Sequence, residues 1–342
     1  MRRSTSKNLS IKDVAKLAGV SISTVSRVLN KNPGVKKAHL AAVQDAIKEL
    51  NFKPSVNAQR LATGKSNVIA LVIPRYEGIF YSFYALELIR GIGTMAAALK
   101  LDLLLHISDD WTSLNLNGLG GVIFADIIKN RQQVEEALAG NIPTIVINNL
   151  VEDLDVHCIA VDNIGGSQNA VNYLIGLGHR KIAHIAGELF TQAAAHRFEG
   201  YKRALAKKGI PLKEEYVIKT DYSRGQARSA AEKLFRLPDP PTAIFVASDA
   251  MALEVMTVAR ERGIKIPADV SLVGFDDNPS GLYGPVSLTT VRQPLVKMAQ
   301  ESVKELSVIM NLKKKAPVRR IVLPTELIIR ESCQAVSANK DR

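Results

Sequence analysis

Twenty residues near the start of the chain, IKDVAKLAGVSISTVSRVLN from Ile11 to Asn30, carry the side chains best suited to reading another molecule. Ser23, Ser26, Arg27 and Asn30 share one helical face, with the apolar stripe Ile22, Val25, Val28 and Leu29 behind them. Hydroxyl, guanidinium and amide groups on one face supply the donors and acceptors that base edges and phosphates require. Two short helices would have to hold that face in place. Ser10 can cap the first, Asp13 three residues on completes a box, and Ile11, Val14, Ala15 and Ala18 keep helical spacing. Gly19 lets the chain turn, and Ser21 offers the second N-cap. A helix-turn-helix of this kind puts its second helix in the DNA major groove, although an ordinary helical hairpin in a larger core would show the same pattern.

The distribution of charge bears on that choice. Of the net +12 over 342 residues, residues 1–66 carry +10, with thirteen Lys/Arg against three Asp/Glu. The rest of the chain is nearly neutral, at 32 against 30. A basic arm on a neutral body suits phosphate binding, because each Lys or Arg placed on a phosphate releases counterions. A solvated charge run is the bland reading, but Lys12, Lys16, Arg27, Lys31, Lys36 and Lys37 are interleaved with apolar positions and are not a disordered tract. Cys158 and Cys333 lie in apolar surroundings and read as buried thiols, with no disulfide framework. MRRSTSKNLS lacks the apolar core of a signal peptide and no apolar run could cross a bilayer, so a cytoplasmic protein without membrane partners is expected.

Beyond the turn, Pro33 and Gly34 break the chain, and Leu40, Val43, Ile47 and Leu50 mark a third helix. Ser55 to Ala62 reads as a short helix, too short to persist alone in water. From Val68 the pattern changes to alternating strands and helices. Strand-like runs occur at 68–73, 101–106, 121–124, 144–148, 158–161, 181–185, 216–219, 243–246, 271–275 and 289–292. Helical stretches lie at 86–99, 134–139, 165–177, 197–208, 224–234, 250–262 and 295–310. So many strands exceed one comfortable open sheet, which predicts two doubly wound parallel-sheet lobes with a ligand between facing strand ends.

Seven ordered motifs carry a resemblance to the LacI/GalR family of transcription regulators over nearly the whole chain. They are DVAKLAGVSISTVSRVLN (13–30), ELNFKPSVNAQRLATG (49–64), YLIGLGHRKIAHIAG (173–187), HRFEGY (196–201), FVASDAMALEVM (245–256), PADVSLVGFDD (267–277) and LTTVRQP (288–294). The resemblance implies a small all-α helix-turn-helix head plus an α/β periplasmic-binding-protein-like body that senses a metabolite. It implies a homodimer on a near-palindromic operator in double-stranded DNA, acting as a repressor. The expected domains are a head at 1–50, a hinge helix and linker at 51–66, a body at 67–334 and a polar tail at 335–342. Within the body the N-lobe would span 67–160 and 291–323 and the C-lobe 162–289 and 325–334, the chain crossing near 160–161, 290–292 and 323–325.

By motif position Ser21, Ile22, Ser23, Ser26, Arg27 and Asn30 would serve DNA binding. Arg27 can meet a guanine edge or a phosphate, Ser23 tolerates several bases, and Ser26 suits backbone phosphate. Ile22 could touch a thymine methyl or simply continue the core stripe. Lys36 is a phosphate candidate. In the hinge, Leu61 would wedge between base pairs, with Asn57, Ala58 and Arg60 beside it in the minor groove. In the body, Arg197 falls where the family grips ligand and Asp276 where it accepts hydroxyl hydrogen bonds. Asn148 and Ser248 face each other as polar contacts. Asp249 is either a ligand contact or a plain N-cap, and Asp277 is structural. The implied effector is a sugar or sugar derivative, with no cofactor and no metal.

Two departures stand out. After the first body strand, where many members carry an acid and Asn-Pro-Phe, this chain reads Pro74-Arg75-Tyr76-Glu77-Gly78-Ile79-Phe80-Tyr81. Phe80 could stack on a sugar, while Arg75 either draws anionic effectors or pairs with Glu77. The path from Asp109 to Gly121 is also short, leaving Trp111, Leu114 and Leu116 to cover a sheet face usually under a helix. Neither a P-loop, a GxSxG elbow, zinc-spaced ligands nor paired catalytic carboxylates are present, which argues against an enzyme. A transport binding protein would need an export signal and no DNA head.

Overall fold

The computed structural model describes residues 9–29, 32–52, 66–75, 79–108, 114–312 and 317–336. The chain divides into a unit at 1–66 and a unit at 67–342. In the first, α1 (Ile11–Ala18), α2 (Ile22–Leu29) and α3 (Lys37–Glu49) surround a core of Val14, Ala15, Val25, Val28, Val43, Ala46 and Phe52. The Asp13 carboxylate accepts hydrogen bonds from the Ser10 N–H at 2.8 Å and hydroxyl at 2.7 Å, fixing the start of α1. Gly19, at φ 64°, ends it in the left-handed conformation that glycine adopts without strain. Two details differ from the sequence reading. Ile22 and Leu40, expected on the apolar stripes, stand 46% and 38% exposed. Phe52 packs into the three-helix core, so the head extends past residue 50. The proposed hinge helix lies outside the described residues.

The second unit contains two sheets. The N-lobe sheet has the order β11-β5-β4-β3-β1-β2, built from Val68–Pro74, Asp102–Ser108, Gly121–Ala125, Thr144–Ile147, His157–Val161 (β1 to β5) and Arg320–Leu323 (β11), all parallel. The C-lobe sheet has the order β12-β10-β9-β8-β6-β7, built from Ile182–Ala186, Val217–Lys219, Ala243–Val246, Ser271–Asp276, Thr289–Arg292 (β6 to β10) and Glu326–Ile328 (β12). Only β12 runs antiparallel in it, against β10. Near-continuous apolar strands such as Ile69–Ile73 are buried on both faces, as parallel sheets demand.

Helices α4 (Phe83–Ala98) and α10 (Leu295–Asn311) cover one face of the N-lobe sheet. On the other lies α5 (Arg131–Ala139), joined by buried Leu114 and by Leu116 and Leu119 packed beside it. These leucines lie within the shortened segment and serve as cover in place of a helix, while Trp111 lies outside the described residues. In the C-lobe, α6 (Asn163–Gly176) and α7 (Gln192–Lys207) cover one face, and α8 (Arg224–Phe235) and α9 (Asp249–Glu261) the other.

The chain passes between lobes at Asp162, at Gln293–Pro294 and at Pro324–Thr325. Val291 and Arg292 therefore belong to the C-lobe sheet, paired with Phe275 and Asp276, and not to the N-lobe as expected. The body also continues past residue 334, where the Val336 N–H donates to the Leu177 carbonyl.

Candidate functional site

Within the head, α2 presents a polar face built by its capping. The Ser21 hydroxyl accepts the Thr24 N–H at 3.2 Å, satisfying a donor that the helix start would otherwise leave unpaired. Val25 and Val28 anchor the helix against Val14 and Val43, leaving Ile22, Ser23 and Arg27 exposed and Ser26 half-buried. Exposure of Ile22 removes its core assignment and leaves it on the face with Ser23. Lys36 is exposed just before α3. Asn30, Asn57, Ala58, Arg60 and Leu61 lie outside the described residues.

Between the two body lobes, strand C-termini converge on a buried polar cluster. Asn148 follows β4, and its Nδ2 donates to Asp126 Oδ1 at 2.8 Å just beyond β3. From the C-lobe, Arg197 on α7 is 5% exposed. Its Nε donates to Asn163 Oδ1 at 2.8 Å and its Nη1 to the Ala247 carbonyl at 2.6 Å, while its guanidinium lies 3.9 Å over the Phe275 ring. These bonds fix the planar fork 4.0 Å from Asp276. Asp276 in turn accepts from Gln293 Nε2 at 2.6 Å. Two buried acceptors in this cluster, Asn148 Oδ1 and Gln293 Oε1, have no hydrogen-bond partner among the described residues. Buried acceptors are ordinarily paired, so each is a place for a donor such as a hydroxyl.

Electrostatics follows from the same packing. Burial pushes the Asp126 carboxyl upward, opposed by Tyr84, Asn148 and Arg197. Asp276 is likewise raised by burial, with Arg197 and Gln293 holding it down. Backbone strain gathers at the same place. Asp126, Asn148, Tyr222, Asp276 and Asp277 all have positive φ, between 60° and 130°. Asp and Asn tolerate this region, but Tyr222 at φ 66° does so only because its surroundings impose it. A Cβ on Gly187 would come within 2.0 Å of the Tyr222 ring, so the missing side chain is what admits that ring to the cleft.

Sequence reading placed Arg197, Asp276 and Asn148 in the effector site, and the fold brings all three together. Ser248 and Asp249 have other work. Ser248 caps α9, accepting the Met251 N–H at 3.4 Å. Asp249, fully buried, accepts the Thr290 hydroxyl at 2.6 Å on one oxygen and the Asn278 N–H at 2.7 Å on the other, which ties the loop after β9 to β10. Both oxygens already hold the C-lobe scaffold and the side chain is fully buried, so a structural role accounts for Asp249 in place of the expected effector contact. Asp277 pairs with Arg292 and Arg330, a structural role too. Arg75 is exposed and Phe80 is 64% exposed, so neither is part of the buried cluster, and Glu77 lies outside the described residues. Asp126, Tyr84, Tyr222 and Gln293 were missed. Asp126 and Gln293 carried a usable signal, a polar side chain just past a strand end, whereas nothing in the sequence marked Tyr222. Among the described residues no three His, Cys, Asp or Glu side chains group to hold a metal ion.

Residues 10–55 match the family described as bacterial regulatory proteins, lacI family, and residues 171–333 match the periplasmic binding protein-like domain. Catabolite control protein A of Priestia megaterium is 33% identical over 334 residues, covering 95% of this chain and 99% of that protein. The chain belongs to the LacI family. Two solved structures share its fold. The lac repressor dimer bound to operator and the anti-inducer ONPF has a TM-score of 0.82 at 25% identity, over 96% of this chain and 100% of that one. The complex of the transcriptional regulator CelR with cellobiose has a TM-score of 0.71 at 30% identity, over 95% and 99%. A LacI-family chain is a DNA-binding transcription regulator with a ligand-binding body. Among the described residues no helix is long and apolar enough to cross a membrane.

Proposed function

We propose that this protein is a transcriptional repressor, not an enzyme, that binds a near-palindromic operator as a homodimer and answers to a small polyhydroxylated metabolite held between its body lobes. The observation that carries the effector half is the buried cluster of Asp126, Asn148, Arg197, Asp276 and Gln293 with two unpartnered acceptors. Hydroxyl donors satisfy such acceptors and carboxylates, while an arginine fork receives their oxygens. Two carboxylates against one guanidinium leave no surplus positive charge for an anion, so a neutral sugar or sugar derivative fits better than a sugar acid.

Support for the DNA half is the exposed Ile22, Ser23 and Arg27 face within a basic head, and the operator complex of the lac repressor. Leu86 and Leu99 around α4 and Leu104 and Leu105 on the edge strand β2 are exposed apolar groups that a second subunit would cover. The test combines a thermal-shift screen of neutral sugars, sugar acids and sugar phosphates with gel shifts on genomic fragments. A ligand at one hundred times its dissociation constant stabilises the fold by about 2.7 kcal/mol. A neutral sugar that raises the melting temperature and changes operator affinity is the expected result. Stabilisation by anions alone would overturn the charge argument, and a ligand that leaves operator binding unchanged would overturn the effector reading.

A further inference from the structure

A second feature spans the cleft, away from the charged cluster. Gln192 is the first residue of α7 in the C-lobe, directly after the N-cap Thr191. Leu150 follows β4 in the N-lobe and is packed against that lobe's core. The Leu150 N–H donates to Gln192 Oε1 at 2.6 Å, and Gln192 Nε2 donates to the Leu150 carbonyl at 2.9 Å. One amide side chain thus satisfies both backbone groups of one residue, as a neighbouring strand would. Because the partners sit on opposite lobes, the two bonds exist together only while the lobes are closed.

We propose that Gln192 is a latch that holds the body closed over the interlobe cluster and sets how often it opens. Both ends are anchored, one by a helix start and the other by a packed leucine, so the bonds are made without ordering a loose chain. Opening must break them together. The latch rests on the effector reading only for its purpose, and opening itself is measurable with no ligand present.

The test is amide hydrogen exchange on the full chain without ligand. Gln192→Met keeps the length and helix preference of the side chain and removes both bonds. Gln192→Glu keeps one acceptor toward the Leu150 N–H and sets a second acceptor against the Leu150 carbonyl. In both variants exchange should rise together at 126–130 and 220–224, one wall from each lobe, by on the order of tenfold. The strand interiors at 122–124 and 243–246 should exchange as in the parent. Parent-like exchange on both walls in Gln192→Met would overturn the latch. So would a uniform rise that includes the strand interiors, since that reports loss of fold and not opening. Neither outcome depends on which effector binds, so failure of the effector reading is seen separately in the ligand screen.

Discussion

Arg197→Met is the sharpest test of how the interlobe cluster is held. Methionine fills much of the same space but removes the donors that serve Asn163 Oδ1 and the Ala247 carbonyl, leaving two buried acceptors unpaired. Each costs ~1–3 kcal/mol. It also removes the cation over Phe275 and the positive partner 4.0 Å from Asp276. Breaking one side of a buried ion pair costs about 3–5 kcal/mol, and these effects overlap, so the whole loss should be about 3–5 kcal/mol. The pH dependence has a definite sign. Asp126 and Asp276 both have folded values above their ordinary 3.8, so the stability they contribute is full below that range and is lost as pH rises through the folded values. Arg197 holds both down, and its removal raises both further. The deficit of the variant should therefore be larger at pH 8 than at pH 5. Urea unfolding of the full chain at the two pH values measures it. A loss below about 1 kcal/mol, or one identical at pH 5 and 8, would refute the assignment of Arg197 as the charge that balances the cluster. It follows that Arg197→Ala is a poor probe of effector response, because stability falls with binding; Arg197→Lys, which keeps the charge, is better.

Gly187→Ala should displace the Tyr222 ring, since the new Cβ would lie 2.0 Å from it, and should cost about 1–3 kcal/mol in urea unfolding; parent-like stability would show that the ring moves freely. Asp249→Asn keeps one good acceptor of two and should lower stability by ~1–3 kcal/mol while leaving effector affinity within a few-fold, whereas abolished binding in a folded variant would return Asp249 to the site. On the DNA side, Leu61→Ala should lower operator affinity by about 1–3 kcal/mol and leave salt-sensitive binding to random DNA nearly unchanged. Equal losses on both DNAs would make the hinge only a tether. Lys36→Ala, by contrast, should weaken both and make the salt slope shallower by about one if that lysine meets phosphate.

How far the sequence could be read depended on how local each signal was. Apolar runs such as Val68–Ile73 and Thr144–Asn148 announce buried parallel strands because both faces are covered, and with the partly exposed edge strands β2 and β7 ten strands were legible. Strands β11 and β12 were not, since Arg320–Leu323 and Glu326–Ile328 sit at or beside sheet edges with mostly exposed or half-buried side chains. Only the family resemblance hinted at a third crossing there. The apolar stripe of α2 gave Val25 and Val28 correctly but not Ile22, because a helical period cannot say which first-turn residue the neighbouring helices leave uncovered.

The cluster shows the same limit at the level of single carboxylates. Asp249 and Asp276 both adjoin strand ends, Asp249 three residues past β8 and Asp276 closing β9, and along the chain they look alike. Their difference arises from what faces them. Asp249 begins a helix beside the Asn278 amide and the Thr290 hydroxyl, which take both its oxygens. Asp276, carried outward at φ 130°, meets Arg197 and Gln293, groups that come from a helix and from a crossing between lobes. A carboxylate whose partners are the Asn278 amide and the Thr290 hydroxyl of its own lobe ties that lobe's elements together. One whose partners include Gln293, at a crossing between lobes, has its environment coupled to the closure of the cleft. The second arrangement is the one through which a ligand can act on the chain, because opening and closing change its energy and the ligand's hydroxyls compete for the same charge.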